Sequence, residues 1–284
     1  MQTFLPFASF RRSARVLDTR RLGKQRVETL QILRAVSFDD YGWQSHPVVV
    51  MWRGYADALV AYGLEITREW MRRGHGDQCT AQIVEFATGG RAVSQTELRR
   101  RRALPPWLGW EPLHRSHRSA LVRKDPAFYA PLFEPELPAD LPYVWPSIDA
   151  LERRPEERFA AWVVRAGSSD ELARFLAEGI VALPALEERS TRANTKGARQ
   201  VRAFLSEPRA GDAVIALAEA RTDTRLHVGE LVGGYRRDAR SSSPHIRAVR
   251  WLGTLERRAL DRPARLQDPR LFFALRGERD PRVR

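Results

Sequence analysis

The chain has 284 residues, 43% of them hydrophobic, and a mean hydropathy of −0.45, which fits a globular protein large enough for two modest domains. Its formal charge of +13 and sequence pI of about 10.9 point to a polyanionic partner, with nucleic acid ahead of an acidic membrane surface. No apolar run approaches a membrane span, and "MQTFLPFASF" lacks the basic start and long apolar core of a signal peptide. The one cysteine, Cys79, excludes an internal disulfide framework, so a cytoplasmic, nucleoid-associated protein is expected.

The periodicity predicts a first helix over roughly Ser13 to Val36. Leu22, Leu30 and Leu33 share a face, with Gly23 and Val27 at its border. Arg26 projects into that apolar arc. Because an unpaired buried guanidinium is costly, Arg26 either meets a buried carboxylate or lines a pocket for an anion. Glu28 is expected on the opposite, polar face with Arg21 and Lys24, as a solvent-exposed ion pair with Lys24. A long second helix follows from His46 to Gly74. Its stripe of Trp52, Tyr55, Leu59, Tyr62, Ile66 and Trp70 reads as core packing. "GDQCTAQIVEFA" reads as a short helix. "TELRRRRALPPWLGW" carries an arginine run into a proline turn, either a solvated face or a phosphate contact. "LHRSHRSALVRKDPAFYAPLF" is the last helical stretch. Phe133 to Ser147, with four prolines, reads as a linker or an extended lid.

Beyond it the grammar changes to short strands: "AAWVVRAG", "GIVALP", "AVIALAEA", "RLHVGELVGGYRRD", "HIRAVRWLGTL" and "RLFFAL". Ser168 and Glu171 form a capping box opening the helix "SDELARFLAEG", and "GARQVRAFLSE" is another helix. The alternation in "RAVRWLG" puts Val249 and Trp251 on one face and Arg250 on the other. The expected fold is α+β: a mostly helical first domain and a small twisted β-barrel.

His114 and His117 lack a third ligand at a recognisable spacing, so no metal is expected. Phosphate-loop, dinucleotide and nucleophile-elbow motifs are absent, and no cofactor is expected.

The first half resembles the pyrimidine-dimer DNA glycosylases, the endonuclease V-like glycosylase/lyases. The resemblance rests on "RLGKQRVETLQIL", "HPVVVMWRG", "LEITREWMRRGH" and "SHRSALVRKDPAFYAPLF". It implies a domain over residues 1–133 that kinks duplex DNA, flips a nucleotide and cleaves its glycosidic bond. It also implies an amino-terminal amine as nucleophile, a helix-borne glutamate and a neighbouring arginine. On this sequence Arg26 falls on the arginine. Val27 stands in the glutamate column, with Glu28 the nearest carboxylate. The family's nucleophile is a threonine amine. Here Thr3 follows Gln2, whose bulk blocks removal of Met1, so the amine is that of Met1 or, after trimming, of Thr3. The implied nucleic-acid contacts are Arg20, Arg21, Lys24, His46, Arg53, His114, His117, Arg118, Arg123 and Lys124.

The second half, a domain over residues 161–284 after a linker over 134–160, resembles over roughly Ala161 to Leu275 the EVE/PUA-like domain found beside Mrr-type restriction proteins. Trp162, Arg165, Tyr235, His245 and Trp251 are then candidates for a base-reading pocket, with Trp162 and Trp251 equally placed for a core. Three functions follow: a DNA N-glycosylase/AP lyase on damaged or modified bases, a non-catalytic reader of modified or distorted DNA, and an RNA-binding module.

Overall fold

The computed structural model describes residues 1–146, 158–185, 195–218 and 223–283. The chain divides into two units, Met1–Pro155 and Glu156–Arg284.

The first unit is helical. α1 (Phe10–Val16) is capped by Ser9, and α2 (Thr19–Ser37) by Asp18, whose carboxylate accepts from the Arg21 N–H at 2.9 Å. The single first helix expected from periodicity is therefore two, because Leu17 and Asp18 are extended and Asp18 caps the second. The long second helix also divides, into α3 (Pro47–Met51) and α4 (Ala56–Arg72). Between them Gly54 takes a φ of 78°, a backbone region that ends a helix. Trp52, Leu59, Tyr62 and Ile66 are fully buried, as core packing requires. α2 and α4 approach closely at Gly63, where an added Cβ would stand 2.8 Å from Thr29 Cγ2.

α5 (Cys79–Val84) follows Asp77, whose carboxylate accepts its first two N–H groups, α6 (Gln95–Arg100) is capped by Ser94, and α7 (Glu111–Lys124) has Pro112 in its first turn. Asp125 ends α7 and caps α8 (Pro126–Tyr129). The proline-rich segment then runs back along α7. The N–H of Leu141 donates to Ser119 Oγ at 3.0 Å and that of Val144 to Ser116 Oγ at 3.1 Å. Residues 147–157 of the expected linker lie outside the described residues.

The second unit is built on one sheet of β1 (Phe159–Arg165), β2 (Ile180–Leu183), β3 (Ala213–Leu217), β4 (Arg225–Arg237), β5 (His245–Glu256) and β6 (Phe272–Arg276). The last two residues of the expected strand "AVIALAEA", 219 and 220, are outside the described residues. The order is β2-β5-β4-β3-β1-β6, with β1 and β3 parallel and the other pairs antiparallel. The expected barrel is corrected here. β2 and β6 are the two edges and no ladder joins them, so the sheet is mixed and open. Alternate residues of β1 and β3 feed two cores. Trp162, Val164, Val214 and Ala216 pack with Phe175 of α9 (Ser169–Glu178) and Phe204 of α10 (Lys196–Ser206). Ala161, Val163, Ile215 and Leu217 pack on the other face with Leu266 and Phe273. Ser168 caps α9 as the capping box predicts, accepting from the Glu171 N–H at 3.1 Å.

Among the described residues no helix is long and apolar enough to cross a membrane.

Candidate active site

The amino-terminal residues form no regular element. They pass through the interior of the helical unit, where two backbone N–H groups and four carbonyls meet side chains from distant helices. Gln25 of α2 takes the Phe4 N–H at 2.9 Å and gives its own N–H to the Gln2 carbonyl at 2.7 Å. Tyr62 of α4 donates to the Phe4 carbonyl at 3.0 Å, and Trp52 donates to Thr3 Oγ1 at 3.0 Å. From α7, His117 Nδ1 accepts the Leu5 N–H at 3.2 Å, His114 Nδ1 meets the Leu5 carbonyl at 2.7 Å, and Arg118 donates to the Pro6 carbonyl at 2.9 Å. A strand-like segment without a sheet is satisfied in this way, since buried backbone groups must find partners.

The clamp fixes the α-amino group of Met1. It lies 3.6 Å from Glu28 Oε1, and Lys24 Nζ reaches the same oxygen at 3.5 Å. The other carboxylate oxygen accepts from Gln25 Nε2 at 2.9 Å. The ion pair of Glu28 with Lys24 is present as expected, but its setting is not. Glu28 is only 7% exposed, whereas Val27 is 46% exposed. Periodicity assigned the inward face by counting apolar residues. Gln25, Glu28 and Thr29 instead turn inward together, towards the amino-terminal segment.

Around this pair stand His46, Tyr143 and several cations. His46 caps α3, its Nδ1 accepting the Val48 N–H at 3.2 Å, which leaves the proton on Nε2. Burial and then the Met1 ammonium lower its pKa from the ordinary value, against the opposing pull of Glu28. Tyr143 is hydrogen-bonded to the Gln2 side chain, and burial raises its hydroxyl pKa. Lys124 titrates below the ordinary lysine value, through partial desolvation and then the neighbouring charges of Arg21, Arg123 and Lys24. Such crowding of cations is relieved by an anion such as a phosphodiester.

Other expected contacts are engaged elsewhere. His114 and His117 are buried on Leu5, and burial drives the His117 pKa down to about 3. Arg118 is buried between Pro6, Glu111 and Glu134. These three hold the amino-terminal segment from inside. Arg21 pairs with Asp18 at 2.5 Å, and Arg53 donates to the Gln44 carbonyl at 2.6 Å. Arg20, Lys24, Arg123 and Lys124 are exposed. Thr3 is fully buried, its N–H donating to Gln2 Oε1 at 2.9 Å.

Arg26 meets a carboxylate, the first of its two expected alternatives. Its guanidinium lies 2.5 Å from Asp77 Oδ1 and 4.2 Å from the Trp70 ring centroid. The Asp77 side chain is fully buried, and its second oxygen accepts from the N–H groups of Cys79 and Thr80 at the start of α5. Two positions apart on one helix, Arg26 and Glu28 point about 200° away from each other.

In the second unit, Trp162 is buried, stacks on Phe272 at 4.9 Å, and donates to Asp212 at 2.9 Å. Arg165 donates to the carbonyls of Leu266 and Asp268. Trp251 packs on the core and donates to the Phe175 carbonyl at 3.0 Å. Tyr235 and His245 are brought together, hydroxyl to Nδ1 at 3.0 Å. Among the described residues no group of three or more His, Cys, Asp or Glu could hold a metal ion.

An amine held on a buried carboxylate, in a basic rim, defines a class of site able to form an imine with an aldehyde or a sugar carbon. Residues 1–83, which span α1 to α5 and supply Met1, Lys24, Gln25, Glu28 and His46, match the family of pyrimidine dimer DNA glycosylases. The C-terminal region has no family assignment, and the EVE/PUA-like resemblance has no support from this comparison. No curated protein and no solved structure matches the chain.

Proposed function

We propose that the helical unit is a DNA N-glycosylase with AP-lyase activity on damaged or modified bases, with the Met1 α-amine as nucleophile. The observation that carries this reading is the 3.6 Å approach of that amine to buried Glu28. An α-amino group is ordinarily a weaker base than a lysine side chain, about 8 against about 10.4, so far more of it is unprotonated near neutral pH. The free amine attacks C1′ of the deoxyribose. The glycosidic bond breaks with its electrons going to the base, which leaves with a proton. The C1′–O4′ bond then breaks, the ring oxygen taking the proton that Glu28 received from the amine, and leaves the iminium on Met1. Loss of a C2′ proton expels the 3′ phosphate. Glu28 takes the proton given up by the amine and faces the positive charge that develops on the sugar. Lys24, Arg123 and Lys124 hold the flanking phosphates. The base-reading role expected of the second unit rests on the Tyr235–His245 pair.

Incubation with abasic-site duplex and borohydride tests the reading. The expected product is a covalent adduct mapping to Met1, with intact mass showing that Met1 and Gln2 are retained. Glu28→Gln should lower base release by about 10²–10⁴-fold. The absence of both an adduct and base release from dimer-containing or modified DNA would leave the non-catalytic DNA reader. Tighter binding of single-stranded RNA than of duplex DNA at matched salt would favour the RNA-binding module.

A further inference from the structure

Trp43 is 65% exposed, yet its backbone takes a φ of 70°. Bulky L-residues rarely adopt this region, and Gly42 beside it would have done so without strain. The loop is nonetheless held on both sides of the indole. Gln44 donates to the carbonyls of Phe38 and Asp39 at 2.7 and 2.9 Å, Arg53 donates to the Gln44 carbonyl, and the His46 N–H donates to the Trp43 carbonyl at 2.9 Å. A large apolar surface is thus fixed in solvent on a constrained backbone, with no core to bury it.

Trp43 is also the outer end of a row of rings. Its centroid is 5.9 Å from His46, His46 is 6.4 Å from Trp145, Trp145 is 5.7 Å from Tyr143, and Tyr143 is 5.3 Å from buried His117. His117 at the inner end accepts the Leu5 N–H at 3.2 Å, so the row runs from solvent to the amino-terminal segment that carries the amine. An exposed aromatic face on a chain of formal charge +13 suits an unstacked nucleobase on a phosphodiester backbone.

We propose that Trp43 is a stacking platform for a nucleobase that has left the duplex stack beside the amine, with His46 and Trp145 behind it. The inference rests on the glycosylase reading only for the origin of that base, because a π-face accepts any base.

The test compares wild type, Trp43→Ala and Trp43→Phe for binding to three DNAs at fixed salt: an intact duplex, the same duplex with an abasic site, and the single strand. Trp43→Ala should bind the abasic duplex and the single strand about tenfold or more weakly, with unchanged affinity for intact duplex, and Trp43→Phe should retain most of the affinity. Trp43→Gly, which suits the left-handed backbone, should behave like Trp43→Ala while melting at or above the wild-type temperature. Equal affinities for all proteins, an equal loss on all three DNAs, or no binding by wild type would overturn the proposal. Borohydride trapping at saturating abasic DNA separates it from the glycosylase reading. If wild type gives no adduct but the base-dependent loss persists, the chemistry falls and the platform stands. An adduct unaffected by Trp43→Ala, together with unchanged affinities, gives the reverse.

Discussion

One amide of Gln25 joins the amino-terminal segment to Glu28: its Nε2 lies 2.7 Å from the Gln2 carbonyl and 2.9 Å from Glu28 Oε2. Its oxygen accepts the Phe4 N–H and lies 2.5 Å from the Tyr62 hydroxyl, whose one proton it shares with the Phe4 carbonyl. The amino-terminal segment and the carboxylate therefore share a single positioning side chain. Gln25→Ala should lower single-turnover base release by about 10²-fold, the scale of an ångström of misplacement. Full activity in a folded variant would show that the amine is held without it.

Arg26→Ala should act on stability. It strips the cation from a fully buried carboxylate, Asp77, and removes the contact over Trp70. The expected cost is about 3–5 kcal/mol, less whatever the remaining bonds to Cys79 and Thr80 offset. The double variant Arg26→Ala/Asp77→Asn should recover part of the loss in urea titrations. In the cold, where the single variant is still folded, borohydride trapping should persist, unlike in Glu28→Gln.

His117 makes the helical unit acid-sensitive. Unfolded, its imidazole takes a proton below its ordinary value of 6.5, but in the fold burial holds it neutral down to about 3. The unfolded state then binds the extra proton across that window, so stability falls as pH drops from 6.5 towards 3 and is unaffected above it. Urea midpoints at pH 7 and pH 5 should differ less in His117→Gln, which can still accept the Leu5 N–H. An unchanged difference would show that other groups set the acid response.

Gly63→Ala should destabilise by about 1–3 kcal/mol through overpacking. Its Cβ would stand 2.8 Å from Thr29 Cγ2 and 3.3 Å from Ile83 Cδ1. Gly42→Ala, whose Cβ meets nothing within 4 Å, is the control and should melt like wild type.

Features set by neighbours along the chain were legible in the sequence. The Ser168 cap, the buried stripe through Trp52, Leu59 and Tyr62, the strands, and the Val249/Arg250 alternation follow from local chemistry. Features set by distant partners were not. Glu28 looks solvent-facing because its neighbours on the helix are polar, and only the segment threaded past it makes that face an interior. Arg26 could be narrowed to two alternatives, but its partner lies 51 residues away in a cap that no periodicity marks. The strands could be counted, yet whether β2 meets β6 depends on pairing, which alternation does not encode.

The clamp on the amino terminus has a consequence for how the protein comes into being. Leu5 is held by His117 and His114, 112 and 109 residues further on. At about 5–20 residues per second of synthesis, the first residues made wait roughly 5–20 s for the side chains that seat them. Until α7 has emerged, the amine is an untethered chain end with no carboxylate fixed beside it. The order of translation thus completes the pairing of the amine with Glu28 only when the helical unit around it is nearly whole.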